Sequence, residues 1–252
     1  MPAPINRLKA ALGGGGVLRG VFLSLGSEAA TEIAGRAGFD FCLVDGEHCA
    51  YDPTVISRQL TVLAATGMPS AVRVPTNEGW IIRQVLDLGA QSIMVPMVNS
   101  ADEARAIVRA SLYPPEGVRG HGGATMRAGG YGAFDAYGQT ANEQISIMAQ
   151  IETRRALDAI EEIAAVDGID VLFFGPTDLS YDMGLADDPS GDALWEAVSD
   201  GIRRIVSAGK VAGVFTSPDR EAAMLEAGAR VVAVGSDAHS LTTAFRRLAL
   251  RP

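Results

Sequence analysis

Lysine is almost missing from this chain: Lys9 and Lys210 are the only two among 252 residues. Both fall at or before the start of an apolar, strand-like run, away from the polar segments where chemistry collects. Catalysis through a Schiff base needs a desolvated lysine in the site, and the chain offers none. Cysteine is as scarce: Cys42 and Cys49 stand at no zinc-type spacing to a histidine and read as small buried or half-buried residues. That argues against a disulfide framework and against a redox role. The basic residues are scattered singly or in pairs under a formal net charge of -9. Without a basic stripe to neutralise a phosphate backbone, nucleic acid is excluded as a partner. No apolar run is long enough to cross a bilayer, and Met-Pro-Ala-Pro-Ile-Asn-Arg-Leu-Lys at the start lacks the apolar centre of a signal peptide. The expectation is a cytoplasmic protein with no membrane contact.

What is present is ordinary for a globular protein: 48% hydrophobic and 20% charged residues, enough for a large core. Short apolar or β-branched runs at 17–25, 39–44, 70–74, 92–98, 145–151, 171–174, 211–216 and 231–235 read as strands. Between them, residues 28–37, 54–65, 78–88, 101–111, 153–165, 193–208, 219–227 and 240–249 carry apolar side chains at helical spacing. Glycines such as Gly38, Gly67, Gly89, Gly209 and Gly228 follow several of these helices as caps. Strands apolar on both faces suit a parallel sheet covered by helices. Eight βα units in a single domain spanning 1–252 match an α/β fold of the (β/α)8 TIM-barrel kind, with an open doubly wound sheet as the rival. Gly13 to Gly16 reads as a flexible lead-in, not a phosphate cradle, since no strand precedes it. The irregular stretch 113–142, rich in glycine and aromatics, reads as a lid or a subunit contact.

Barrel enzymes place catalysis at the C-terminal ends of their strands, and the polar residues here are sorted that way. Asp45, Glu47 and His48 follow the second strand, and Arg73 and Pro75 end the third. Gln150 and Glu152 end the fifth, Gly175, Pro176 and Asp178 follow the sixth, Phe215 and Thr216 end the seventh, and Ser236 and Asp237 follow the eighth. Glu152 and Asp178 are candidate ligands for a hard divalent cation, Mg²⁺ or Mn²⁺, because carboxylates without cysteine disfavour structural zinc. The competing reading is that both merely cap the next helix in the chain, as Asp45 also could. His121 reads as a solvated loop residue and His239 as a neighbour of the last helix.

Several segments then resemble one family in the same order along nearly the whole chain. They are Phe-Asp-Phe-Cys-Leu-Val-Asp-Gly-Glu-His (39–48) with 50–53, Val-Arg-Val-Pro (72–75), and Leu-Gly-Ala-Gln (88–91) through Val-Pro-Met (95–97). Tyr-Pro-Pro-Glu-Gly-Val-Arg-Gly (113–120), Gln-Ile-Glu-Thr (150–153) and Gly-Pro-Thr-Asp-Leu-Ser (175–180) complete the set. They resemble the metal-dependent, class II pyruvate aldolases of the HpcH/HpaI family. The resemblance implies a barrel whose last helix is exchanged between subunits, in a homo-hexamer built as a dimer of trimers. It implies cleavage or formation of 4-hydroxy-2-oxoacids, with pyruvate or hydroxypyruvate and an aldehyde as partners and Mg²⁺, Mn²⁺ or Co²⁺ as cofactor. By position, Glu152 and Asp178 match the metal ligands, with Glu47 behind them through water. Gly175 and Thr177, flanking Pro176, match the positions whose amides face the oxoacid carboxylate near Gln150, and Arg73 matches the arginine on the keto oxygen and enolate. His48 with Asp45 matches the acid/base dyad, Asp87 an acid reaching a neighbouring subunit's site, and Phe215 a wall of the aldehyde pocket. Residues 125–132 look more like the sugar-acid branch of the family. The alternatives are an acyl-CoA lyase of the malyl or citryl type, for which the chain has little room or basic charge, and a barrel that binds an oxoacid without turnover.

Overall fold

Each of the eight apolar runs forms a strand, and each pairs in parallel with the next until the eighth returns to the first. The result is a closed barrel in the order β1 to β8. The computed structural model describes residues 1–49, 52–188 and 190–250; Ala50 and Tyr51, within the motif at 50–53, lie outside them. In chain order the elements are α1 (Arg7–Gly13), β1 (Leu18–Leu23), α2 (Glu28–Gly35), β2 (Phe41–Asp45), α3 (Pro53–Thr66), β3 (Ser70–Arg73), α4 (Gly79–Asp87), β4 (Ser92–Val95) and α5 (Ala101–Ser111). They continue with α6 (Tyr137–Thr140), β5 (Ser146–Ile151), α7 (Arg154–Asp158), α8 (Ile160–Ala164), β6 (Val171–Phe174), α9 (Pro176–Asp182), α10 (Asp192–Ser207), β7 (Val211–Phe215), α11 (Glu221–Ala227), β8 (Val231–Ser236) and α12 (Asp237–Ala249). The open-sheet rival is excluded, because β8 pairs with β1. Among the described residues, no helix is long and apolar enough to cross a membrane.

Strand side chains alternate between the two faces of the pleat, and here they feed two separate cores. Cys42 and Val44 pack outward with Val72, Ile93 and Leu172 against the helices. Phe41 and Leu43 point inward with Ala71, Met94, Met148, Val171 and Phe173 and fill the barrel. Gly20 and Gly213 are the small members of that interior. A Cβ on Gly20 would stand 2.3 Å from the Phe41 ring, and one on Gly213 would stand 2.4 Å from the Phe173 ring.

Helix α9 falls in none of the expected helical segments, and three further features depart from the sequence-based expectation. Helix α1 has no counterpart in it: Asn6 caps its N-terminus through Leu8 and Lys9 N–H, and Leu8 and Leu12 plug the lower end of the barrel interior. The segment 153–165 is two short helices meeting at Ala159, each buried by a different residue set. The stretch 113–142 does not form a lid over the catalytic end. It joins the end of α5 to the start of β5, so it lies at the N-terminal face, where Ala128 N–H donates to Asp87 O and Arg127 donates to Leu88 O. There it builds a small core of Tyr113, Met126, Tyr137 and Ala141 over Ala3. His121 is exposed, its ring tilted against Tyr113 at 5.3 Å. Both lysines are also tied at that face, Lys9 to Ile145 O and Lys210 to Val166 and Ile169 O.

Because the barrel interior is filled, Gly20→Ala overpacks it, and a loss of about 1–3 kcal/mol is expected in urea unfolding with an unchanged m-value.

Candidate active site

The site is the top layer of the barrel interior. Continuing each strand's inward set by one step brings Ser24 after Phe22, Asp45 after Leu43 and Arg73 after Ala71. The same step brings Glu152 after Gln150, Gly175 after Phe173 and Phe215 after Gly213. A cavity of about 360 Å³ opens there, lined by Asp45, His48, Arg73, Gln150, Glu152, Gly175, Pro176, Thr177, Asp178 and Phe215 together with Phe22, Ser24, Phe173 and Ser236.

Arg73 is the organising cation. Its Nε donates to Asp45 Oδ1 at 2.9 Å, its Nη2 stands 2.9 Å from the same oxygen, and its Nη1 stands 2.9 Å from Glu47 Oε2 as an ion pair without a directed hydrogen bond. Its guanidinium carbon lies 5.0 Å above the Phe22 ring, which meets Phe215 edge-on at 5.4 Å. Burial on its own would lower the pKa of Arg73, but the hydrogen bond and charge of Asp45 and the charge of Glu47 raise it. Burial likewise works against the Asp45 charge, and Arg73 outweighs it, leaving the Asp45 carboxyl below its ordinary value.

Asp45 also accepts the backbone N–H groups of Glu47 (3.0 Å) and His48 (3.4 Å), so it shapes the turn after β2. It therefore meets His48 through the backbone. The imidazole Nε2 stands 3.5 Å from Asp178 Oδ2 and 3.8 Å from Glu47 Oε2, with the His48 side chain 59% exposed at the rim. The helix-cap reading of Asp45 fails, since Asp52 caps α3.

Glu152 is 1% exposed. Met97 N–H donates to its Oε2 at 2.9 Å and Gln150 Nε2 to its Oε1 at 2.8 Å. Met97 takes a positive φ of 56° to make that donation, a conformation costly for a side-chain-bearing residue. Burial, with the nearby charges of Glu47 and Asp178, pushes the Glu152 carboxyl up to about 7 against the opposing help of Met97 N–H and Arg73. Glu47 is also raised, by burial above all. Arg73 is paired directly with Asp45 and Glu47, so Glu152 has no ion-pair partner among the described residues. Among the described residues no group of three His, Cys, Asp or Glu side chains is arranged to enclose a metal. A hard divalent ion bound by one or two carboxylates, with water and substrate oxygens completing its shell, needs no such cage. Glu152 and Asp178 fit that pattern, and the orphaned buried Gln150 Oε1 adds another acceptor beside them. Gly175 leaves the space: a Cβ there would stand 2.3 Å from Glu152 Oε1. Thr153, not Glu152, caps α7.

Asp87 is not part of this cavity. It ends α4 on the opposite face, where Arg119 Nη2 donates to its Oδ1 at 2.8 Å. Arg119 is buried over the Tyr113 ring at 4.5 Å, a packing that its place in a Gly-rich loop does not announce. In the sequence Phe22 and Phe173 look only like core, and Ser24 only like strand. The signal that finds them is inward parity.

This fold and cavity define a (β/α)8-barrel protein with its polar site at the C-terminal strand ends. The chain belongs to the HpcH/HpaI aldolase/citrate lyase family, which residues 18–244 match, and this places it among the carbon–carbon lyases. It is 43% identical over 248 residues to a hydroxypyruvate/pyruvate aldolase of Roseovarius nubinhibens, covering 98% of this chain and 96% of that one. It is 48% identical over 239 residues to a 4-hydroxy-2-oxovalerate aldolase of Novosphingobium aromaticivorans, covering 94% and 90%. A crystal structure of a family protein from Burkholderia cenocepacia superposes with a TM-score of 0.92 at 36% identity, over 96% of this chain and 97% of that one.

Gly175→Ala drives a methyl into the Glu152 carboxylate. A Mn²⁺ affinity about tenfold weaker or worse is expected by isothermal titration, with the melting temperature recorded to separate site from fold.

Proposed function

We propose that the chain catalyses reversible aldol cleavage of 4-hydroxy-2-oxoacids to pyruvate or hydroxypyruvate and an aldehyde, with a divalent ion held by Glu152 and Asp178. The observation that carries the reading is the convergence of a desolvated carboxylate, a buried arginine and an exposed histidine in one cavity, while both lysines are tied at the far face. When bound, the ion supplies Lewis-acid charge to the oxoacid's keto and carboxylate oxygens. The first turn of α9 leaves backbone N–H groups without intrahelical partners, and Gly175 and Thr177 are the positions assigned to the oxoacid carboxylate.

In cleavage, His48 accepts the proton of the C4 hydroxyl, the C4–O bond becomes a carbonyl, and the C3–C4 bond breaks with its electron pair passing to the pyruvyl fragment. Arg73, fixed by Asp45 and Glu47, presents positive charge where the oxyanion develops without reorganising. Asp45 assists His48 by holding its backbone and by holding Arg73. Phe22 and Phe215 form the apolar wall for the departing aldehyde. In synthesis the same groups run in reverse, with His48 returning the proton to the aldehyde oxygen.

The reading extends to assembly and place. The apolar Leu241, Phe245 and Leu248 of α12 are exposed in a single chain, which supports exchange of this helix within a cytoplasmic homo-hexamer. In that assembly Asp87 serves a neighbouring subunit's site.

Pyruvate in D₂O with Mg²⁺ or Mn²⁺ tests the central step without a choice of aldehyde. With Mg²⁺ the methyl proton signal is expected to fade by NMR, to persist after EDTA and to fade again on restoring Mg²⁺. Absence of exchange from both pyruvate and hydroxypyruvate would overturn the proposal. His48→Ala is expected to lower kcat for cleavage about 10²–10⁴-fold. Its Mn²⁺ affinity should persist, and full turnover in this variant would remove His48 from its role.

A further inference from the structure

We propose that Ser24 and Asp237 are positioning residues that reach across the barrel's closing seam to hold Asp45, and through it Arg73, in register. This rests on the reading that Asp45 and Arg73 serve the oxoacid.

The seam is irregular. Gly20 pairs with Ala233 and Phe22 with Ser236, so two steps along β1 match three along β8. An extra residue in one strand re-aims the side chains beyond it. Here it delivers Asp237 to the exit of β1. Asp237 is 8% exposed, and its Oδ1 accepts Ser24 N–H at 2.8 Å while its Oδ2 accepts Leu25 N–H at 3.3 Å. The same Oδ1 accepts Ala238 N–H at 2.8 Å in the first turn of α12. A simple helix-capping role does not account for these bonds, because Ser236 already caps α12 through His239 N–H.

Ser24, fixed in this way, turns its hydroxyl to Asp45 Oδ2 at 3.3 Å. The two oxygens of Asp45 are thereby divided: Oδ1 serves Arg73 and the turn after β2, and Oδ2 serves Ser24. Rotation of the carboxylate would exchange them and release Arg73. Ser24 opposes that rotation, and Asp237 keeps Ser24 in place.

The test is a double-mutant cycle on the full-length protein loaded with diamagnetic Mg²⁺, reading pyruvate methyl deuteration. Ser24→Ala and Asp237→Ala are each expected to lower kcat about five- to tenfold, the loss of one hydrogen bond to a charged group, with less than a twofold change in pyruvate KM. The double variant should be no worse than the more damaged single one, because both act on one link. Ser24→Thr should recover the loss, and Asp237→Asn, which keeps an accepting Oδ1, should be far milder than Asp237→Ala. A parallel readout needs no turnover: the Arg73 Nε–H resonance in ¹⁵N-resolved spectra should shift or broaden in both alanine variants. Full activity in Ser24→Ala, losses that multiply in the double variant, or an unmoved Arg73 resonance would overturn the inference. Should the wild-type protein itself fail to exchange pyruvate, the proposed function falls, and the Arg73 resonance still decides the seam.

Discussion

A closed parallel barrel of pleated strands leaves each inward side chain only one direction to go, and the site is a product of that constraint. Phe41 and Leu43 are large, apolar and inward, so the next inward member, Asp45, must emerge at the mouth. The same step places Arg73 beside it, since Asp45 and Arg73 are direct register partners on β2 and β3. A buried guanidinium is tolerable only when its charge is met, and Asp45 and Glu47 meet it. The interior packing, the register and the ion pairs are therefore one arrangement, in which a slip of one residue on β2 or β3 would turn the charge into the helix layer.

Charge balance at the mouth is incomplete. Glu152, Glu47 and Asp178 face one another across a space whose buried cation, Arg73, is already engaged by two carboxylates. Folding such a set costs stability, and a divalent ion held there as proposed would restore it. Family membership and the charge pattern point the same way by independent routes: one compares whole chains, the other counts carboxylates in a cavity.

Much of this is legible in the sequence because β-branched runs bounded by glycine mark strands directly. Val171–Phe174 and Ala101–Ser111 are found at the residues expected, and the left-handed Gly67 and Gly228 close α3 and α11. The rest is hidden for physical reasons. Helix α1 is seven residues long and runs into glycines, so its periodicity is too brief to register; its strongest sign is Asn6 before the spaced pair Leu8 and Leu12. The break at Ala159 involves neither proline nor glycine and is set by packing alone. Strand-end sorting finds the charged residues of the mouth, but Ser24 and Phe22 look like strand and core until the seam's register is known. The pairing of Asp87 with Arg119 joins residues 32 apart in the chain through a loop that no local pattern specifies.

Phe22 and Phe173, at the top of a filled interior that Leu8 and Leu12 close from below, give the cavity a floor. Everything that enters or leaves must use the same mouth, past the exposed His48. In the proposed reaction, the oxoacid seated against Glu152 therefore arrives first and departs last. A molecule that lodges at the rim would then trap its partner below, so inhibition by an excess of the outer reactant is a property of the cavity's shape rather than of any chemical step.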